Sequence, residues 1–249
     1  MDYAADRPLN FAHRGASQQA PQNTLAAFLR AADLGADGIE LDAQLSKDGG
    51  LVVIHDFWLE ATTDGRGPVR ARTLAELKEL DAGSWFAPTF AGQRIPTLPE
   101  VMEAVGQRLL LNIELKTPGL RDEGLAAGVA RAIEENGLLD RVVVSSFNPV
   151  AVWRIKRLNP AIPVGLLYAS DTPTLLRNLW VRHFIDLQAL HPQHSLVDER
   201  FVQWARQRQY GMHTWTVDDP EEMRRLARLG VDIIITNRPD LAVQIKLAG

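Results

Sequence analysis

Several acidic, basic and imidazole side chains fall inside or at the ends of short apolar runs, where polar groups are costly. In Ile39-Glu40-Leu41-Asp42 two carboxylates stand two positions apart. A strand alternates its side chains, so both lie on one face. Asn112-Ile113-Glu114-Leu115-Lys116 repeats the pattern, with Glu114 flanked on its face by Asn112 and Lys116. Buried carboxylates are unfavourable unless paired or bound to a cation. Converging, Glu40, Asp42 and Glu114 make an oxygen-rich site that suits one hard divalent cation, Mg²⁺ or Ca²⁺. Zinc, which favours nitrogen and sulfur, suits it less. His13 closes Phe11-Ala12-His13 and His55 closes Val53-Ile54-His55. Two histidines can divide a hydrolysis: one accepts a proton from the attacking hydroxyl or water, the other protonates the departing alcohol. Arg14 and Lys116 suit a phosphoryl oxygen. Together these groups describe phosphoryl transfer better than acyl transfer. Taken singly, a strand-end histidine is usually structural, and Glu-x-Asp is usually an ion-pair ladder on a solvated face. The common position favours chemistry, since each group sits where a strand ends and the next connection begins.

The elements that must position these groups alternate along the chain. Apolar runs at 10–15, 38–45, 51–55, 109–116, 142–147, 164–168, 187–191, 213–217 and 232–237 predict strands. Amphipathic segments predict helices over 24–34, 123–136, 150–158, 198–209 and 220–229, the first stopped by Gly35. Lys47-Asp48-Gly49-Gly50 is a tight turn, which makes 51–55 antiparallel to 38–45. The remaining runs give eight parallel strands, the pattern of an α/β TIM (β/α)8 barrel. A doubly wound open sheet is the runner-up. Residues 57–97 read as an irregular insertion after the hairpin, with a short helix near 74–80 and aromatics Trp58, Trp85, Phe86 and Phe90. These aromatics are expected to pack the insertion onto the barrel rather than grip a ligand.

The composition is ordinary for one globular domain, residues 1–249, with 46% hydrophobic and 23% charged residues. There is no cysteine, which excludes disulfides, thiolate metal sites and thiol nucleophiles. A net charge of −4 offers no basic footprint for nucleic acid and no attraction to anionic membranes. No apolar run reaches membrane-span length, and the first residues carry no signal-peptide core. A cytoplasmic protein without stable membrane association is expected. Oligomeric state is left open. His183, His194 and His213 read as surface or packing residues, and His191 as a possible border of the pocket. Asp218, Asp219 and Pro220 read as a helix start, and Asn237 as an anchor at the barrel mouth.

The motifs occur in a characteristic order: His13-Arg14-Gly15, Pro21-Gln22-Asn23-Thr24, Glu40-Leu41-Asp42, Lys47-Asp48-Gly49, His55-Asp56, 80–86, 95–98, 112–116, 145–147, 215–217 and 236–240. Spanning nearly the whole chain, this set resembles the glycerophosphodiester phosphodiesterase family. The resemblance implies a TIM barrel that cleaves small-molecule glycerophosphodiesters to glycerol phosphate and an alcohol, using one divalent cation, Mg²⁺ or Ca²⁺. By resemblance, Glu40, Asp42 and Glu114 ligate the metal, and His13 and His55 are the acid–base pair. Arg14 and Lys116 contact the phosphate, Trp215 lines the glycerol side, Phe147 shapes the pocket, and the insertion at 57–97 caps the substrate. One position departs: Gln22 stands where the family usually carries Glu. That keeps hydrogen bonding but removes a charge. Two other functions share the features: a lysophospholipase D-type enzyme, which a wide apolar groove beside the site would favour and the lack of a membrane segment or basic amphipathic helix disfavours, and a non-catalytic barrel binding a phosphorylated ligand.

Overall fold

The computed structural model describes residues 7–117, 119, 121, 123–173 and 180–245. Its strands are β1 (Leu9–His13), β2 (Gly38–Leu45), β3 (Leu51–Val53), β4 (Leu110–Leu115), β5 (Val142–Ser146), β6 (Val164–Tyr168), β7 (Ala189–Pro192), β8 (Gly211–Thr214) and β9 (Ile233–Thr236). All except β3 run parallel. β1 pairs with β2 on one side and β9 on the other, which closes the ring into a TIM barrel and rules out the open sheet.

Alternation sorts the side chains into an outer core and a barrel interior. Ile39, Leu41, Ala43 and Leu45 of β2, with Leu111, Ile113 and Leu115 of β4, face outward into the main hydrophobic cluster. There they meet Phe28 and Ala31 of helix Leu25–Asp33, Val129 and Ile133 of helix Leu125–Glu135, and Val152 and Ile155 of helix Pro149–Leu158. Glu40, Asp42, Asn112 and Glu114 hold the opposite parity and are buried inside the barrel. The barrel floor is closed by Phe11, Ile233 and Ile235. Gly38, opposite Phe11 in the register, makes room for that ring: a Cβ there would lie 2.5 Å from Phe11 Cζ.

The register of β2 decides where the site forms. β1 pairs with β2 only from Gly38 to Glu40, and β3 takes over the same edge from Ala43 to Leu45. Between them the Ile54 amide donates to the Asp42 carbonyl at 2.9 Å. The end of β1 and the end of the hairpin return therefore meet from opposite directions beside Asp42, and each delivers a histidine.

Some boundaries differ from the sequence expectation. β8 starts at Gly211, earlier than 213, because the Gly211 amide donates to the Gln188 carbonyl and Asp232 donates to the Met212 carbonyl. Glycine carries no apolar signal, so this start is invisible to periodicity. Helix Leu98–Val105 was also not singled out, although Thr97 and Glu100 form a capping box with Pro99 in the first turn. Residues 57–97 contain short 3-10 turns and helix Leu74–Lys78, joined by their own cluster of Leu59, Val69, Leu77, Ala82 and Ile95 around Val52 and Ile54 of the hairpin return. Trp85, Phe86 and Phe90 stack edge to face on one another, and Trp58 is exposed. The ring contacts of Trp85, Phe86 and Phe90 lie within the segment. Arg70 of the segment forms an ion pair with Glu123 beyond β4.

His191 and His213 lie fully buried inside the barrel with ring centroids 4.5 Å apart. Gly165 leaves space for His191, since a Cβ would sit 2.3 Å from its Nε2. Packing, not the pocket border, is where His191 resides. Burial pushes His191 down to about 3, and burial together with His191 pushes His213 well below its ordinary value. Below the unfolded value of about 6.5 the unfolded chain therefore binds more protons, and stability falls with falling pH. We expect His191→Leu to flatten the pH dependence of denaturant unfolding by about 1.4 kcal/mol per pH unit in this window. A slope unchanged from the parent would refute the neutral, buried histidine.

Candidate active site

Each side chain of the sequence-derived set is brought to the C-terminal mouth of the barrel by a strand end. One cavity of about 210 Å³ is lined by His13, Arg14, Glu40, His55, Glu114, Lys116, Phe147 and Trp215, among others. Carboxylate oxygens of Glu40, Asp42 and Glu114 lie within 4.8 Å of one another. Asp42 is opposite Glu114 in the β2–β4 register, which is why they meet.

The charges around this trio are arranged as a tight network. Lys116 Nζ donates to Glu114 Oε1 at 2.9 Å and stands 3.7 Å from Asp42 Oδ1. Arg14 Nε lies 3.4 Å from Asp42 Oδ2. Burial, then the charges of Asp42 and Glu114, pushes Glu40 well above the usual carboxylate range. Burial also raises Glu114, to about 7, with Lys116 opposing and Asp42 adding to the rise. Burial works against ionised Asp42, yet Lys116 and Arg14 outweigh it and hold Asp42 below its ordinary value. Glu40 Oε1 and Asp42 Oδ1 are buried without a hydrogen-bond partner among the described residues. Orphaned anionic oxygens that converge, with two of the three acids strained toward protonation, fit a divalent cation.

The first turn after β1 is bent to serve the site. Arg14 and Asn23 both adopt φ 57°, a region rarely used by residues with side chains. The Arg14 amide is fixed between the Glu40 carbonyl at 2.9 Å and Glu40 Oε2 at 3.1 Å, and the Asn23 amide donates to the Arg14 carbonyl. Gly15 behind it presses on Ala27, where a Cβ would lie 2.6 Å from the backbone. Arg14 Nη1 donates to Gln22 Oε1 at 2.8 Å, so the residue that departs from the family pattern is the one that orients Arg14.

Both histidines have orienting partners. His13 Nδ1 is 2.7 Å from Asn237 Oδ1. Asn237 is itself fixed, because its Nδ2 donates to Asp218 Oδ2 at 2.7 Å. That leaves Asn237 Oδ1 as an acceptor, assigns the proton to His13 Nδ1, and frees Nε2 as a base. Burial lowers His13 to about 4, with Arg14 contributing, so the ring is neutral at pH 7. His55 is also lowered, first by burial. Gln44, one step beyond Asp42 on the same face, reaches the carbonyls of Ile54, His55 and Asp56 at 2.9–3.0 Å and pins that turn. Trp215 donates its Nε1 to the His191 carbonyl and meets Phe147 edge to face at 5.5 Å.

Several supporting residues were missed in the sequence. Asn23 donates to Asp42 Oδ2 at 2.8 Å, whereas Thr24 is the actual helix cap. The adjacent Thr24, a sufficient cap, was the available hint that Asn23 is free for another role. Asp219 caps helix Pro220–Leu229, but Asp218 turns away to Asn237 and Thr236. No local pattern could reveal that pairing.

Comparison with known proteins agrees with this geometry. Residues 13–241 match the model of the glycerophosphoryl diester phosphodiesterase family. The chain belongs to this family. A glycerophosphodiester phosphodiesterase of Caldanaerobacter subterraneus subsp. tengcongensis is 41% identical over 98% of this chain and 99% of its own. Another, from Bacillus subtilis, is 33% identical over 97% of this chain and 87% of its own. Among solved structures, a phosphodiesterase of Oleispira antarctica in complex with the product sn-glycerol-3-phosphate superposes with TM-score 0.89 at 33% identity, covering 99% of both chains. Glycerophosphoryl diester phosphodiesterases are phosphoric diester hydrolases, and this chain is an enzyme of that class. No described helix is long and apolar enough to cross a membrane.

Because burial raises Glu114 to about 7 and pushes Glu40 upward as well, cation binding must expel protons near neutrality. Titration calorimetry with Mg²⁺ or Ca²⁺ in buffers of different ionisation enthalpy is expected to show proton release at pH 7, and affinity rising with pH through about 7. Buffer-independent heats would contradict the raised values.

Proposed function

We propose that this enzyme hydrolyses glycerophosphodiesters to glycerol phosphate and an alcohol. The buried Glu40–Asp42–Glu114 group, with His13 and His55 lining the same cavity, carries the reading. Glu40, Asp42 and Glu114 hold one divalent cation, Mg²⁺ or Ca²⁺. When bound, it neutralises the carboxylates and polarises a phosphoryl oxygen. Arg14 and Lys116 bind the remaining phosphoryl oxygens and neutralise charge as the phosphorus centre becomes crowded. His13, with Nδ1 donating to Asn237, offers Nε2 as proton acceptor. His55 is its partner in the acid–base pair: in its protonated form it donates to the departing alcohol, while His13 takes the proton of the attacking oxygen. Trp215 lines the glycerol side, Phe147 shapes the pocket, and residues 57–97 cap the substrate.

His13→Ala or Glu40→Ala should lower release of glycerol phosphate from glycerophosphocholine by at least about 10²-fold while leaving the circular dichroism melt cooperative. Turnover near the parent's in either variant would sink the assignment. Gln22→Glu adds a carboxylate beside Arg14 and relaxes that side chain's hold on Asp42. Calorimetry should then show divalent-cation affinity increased by about two- to tenfold. Unchanged affinity would assign Gln22 to loop packing alone.

A further inference from the structure

A second, larger cavity adjoins the site. It is an open groove of about 450 Å³, and it shares Glu114, Lys116 and Phe147 with the 210 Å³ pocket. Its own walls are Phe57, the first residue of the insertion, facing Thr117 and Gly119 beyond β4 and Asn148 and Pro149 beyond β5. Among the described residues the lining contains no charged side chain other than Glu114 and Lys116, which pair with each other.

The groove is built rather than incidental. Asn148 Nδ2 donates to Thr117 Oγ1 at 2.9 Å and to the Gly119 carbonyl at 2.8 Å, tying the two loops together. Its Oδ1 caps helix Pro149–Leu158 by accepting from the Val150 amide. Ser146 donates to the Leu115 carbonyl below. Phe57 is held by the Val69 amide, which donates to its carbonyl. It stands two residues from His55 in sequence, at the point where the hairpin return leaves the barrel.

We propose that this groove receives the departing alcohol, and that Phe57 sets its selectivity for bulky, uncharged, apolar alcohols. The inference rests on the glycerophosphodiesterase reading above. A phosphodiester bound by Arg14 and Lys116 projects its two ester groups in different directions, and two compartments meet at Lys116. The smaller lies below the usual size of about 300 Å³ or more for a drug-sized ligand site and contains Trp215, Leu167 and Ile235, so it suits the constant glycerol half. The larger is open and, beyond the shared Glu114–Lys116 pair, its described lining carries no charge, so it suits a variable, uncharged group. Phe57 belongs to the insertion, so it determines specificity and is not part of the acid–base or cation machinery.

The test compares kcat/KM for three diesters of glycerol phosphate: one with a hexyl alcohol, glycerophosphoethanolamine and glycerophosphoserine. Lysophosphatidylethanolamine serves as the acylated-glycerol arm. The parent should prefer the hexyl diester over glycerophosphoethanolamine, and Phe57→Ala should shrink that ratio about tenfold, chiefly through KM. Phe57→Arg should raise glycerophosphoserine relative to glycerophosphoethanolamine about fivefold, a gain that misfolding cannot produce. Equal losses on all diesters, or no change in either ratio, would overturn the assignment. So would a Phe57→Ala effect confined to the lysophospholipid, which would place an acyl chain in the groove. Failure of the parent to release glycerol phosphate from any diester would instead refute the underlying reading.

Discussion

Glu40, Asp42 and Glu114 repel one another in a space that excludes most water, and everything around them answers that repulsion. Lys116 and Arg14 settle the charge of Asp42 and leave Glu40 and Glu114 strained toward protonation. Hydrogen bonds relieve the strain only in part: Glu40 Oε2, Asp42 Oδ2 and Glu114 Oε1 accept them, whereas Glu40 Oε1 and Asp42 Oδ1 have none among the described residues. A barrel can tolerate such a group because its outer core is apolar and continuous, from Phe28 through Ile39 and Leu111 to Ile155. Stability drawn from that burial offsets a local arrangement that opposes folding unless a cation joins it.

The same constraint explains the turn between Arg14 and Asn23. The Arg14 amide must reach Glu40, its guanidinium must reach Asp42, and Asn23 must donate to Asp42 from the other side. The left-handed backbone at both residues is what allows the three contacts together. Gln22 enters as a neutral brace for Arg14, so the guanidinium charge is shared between Asp42 and an incoming anion rather than being spent on a neighbour.

Much of this was legible in the sequence because strands alternate. Glu40 with Asp42, and Glu114 with Lys116, share faces for reasons of period alone, and the apolar residues between them declare the outer core. His13 and His55 could be placed at strand ends. Their meeting could not, since it depends on β2 exchanging one partner for another halfway along its edge. The orienting amides were hidden for the same reason. Asn23 reaches across 19 positions to the neighbouring strand, and Asn237 across 224, a contact that exists only once the barrel has closed. His191 shows the limit of reading from strand ends: near the end of β7, its inward parity sends it against His213 in the interior, not to the mouth.

The bond between His13 and Asn237 joins the first strand to the connection after the last. A ribosome-bound chain that has emerged through Lys116 already carries the three carboxylates, both histidines, Arg14 and Lys116. It still lacks the group that sets the His13 tautomer and the strand that seals the sheet. The His13–Asn237 bond thus forms only as the ring is completed, so the orientation of the His13 ring depends on the last step of barrel assembly.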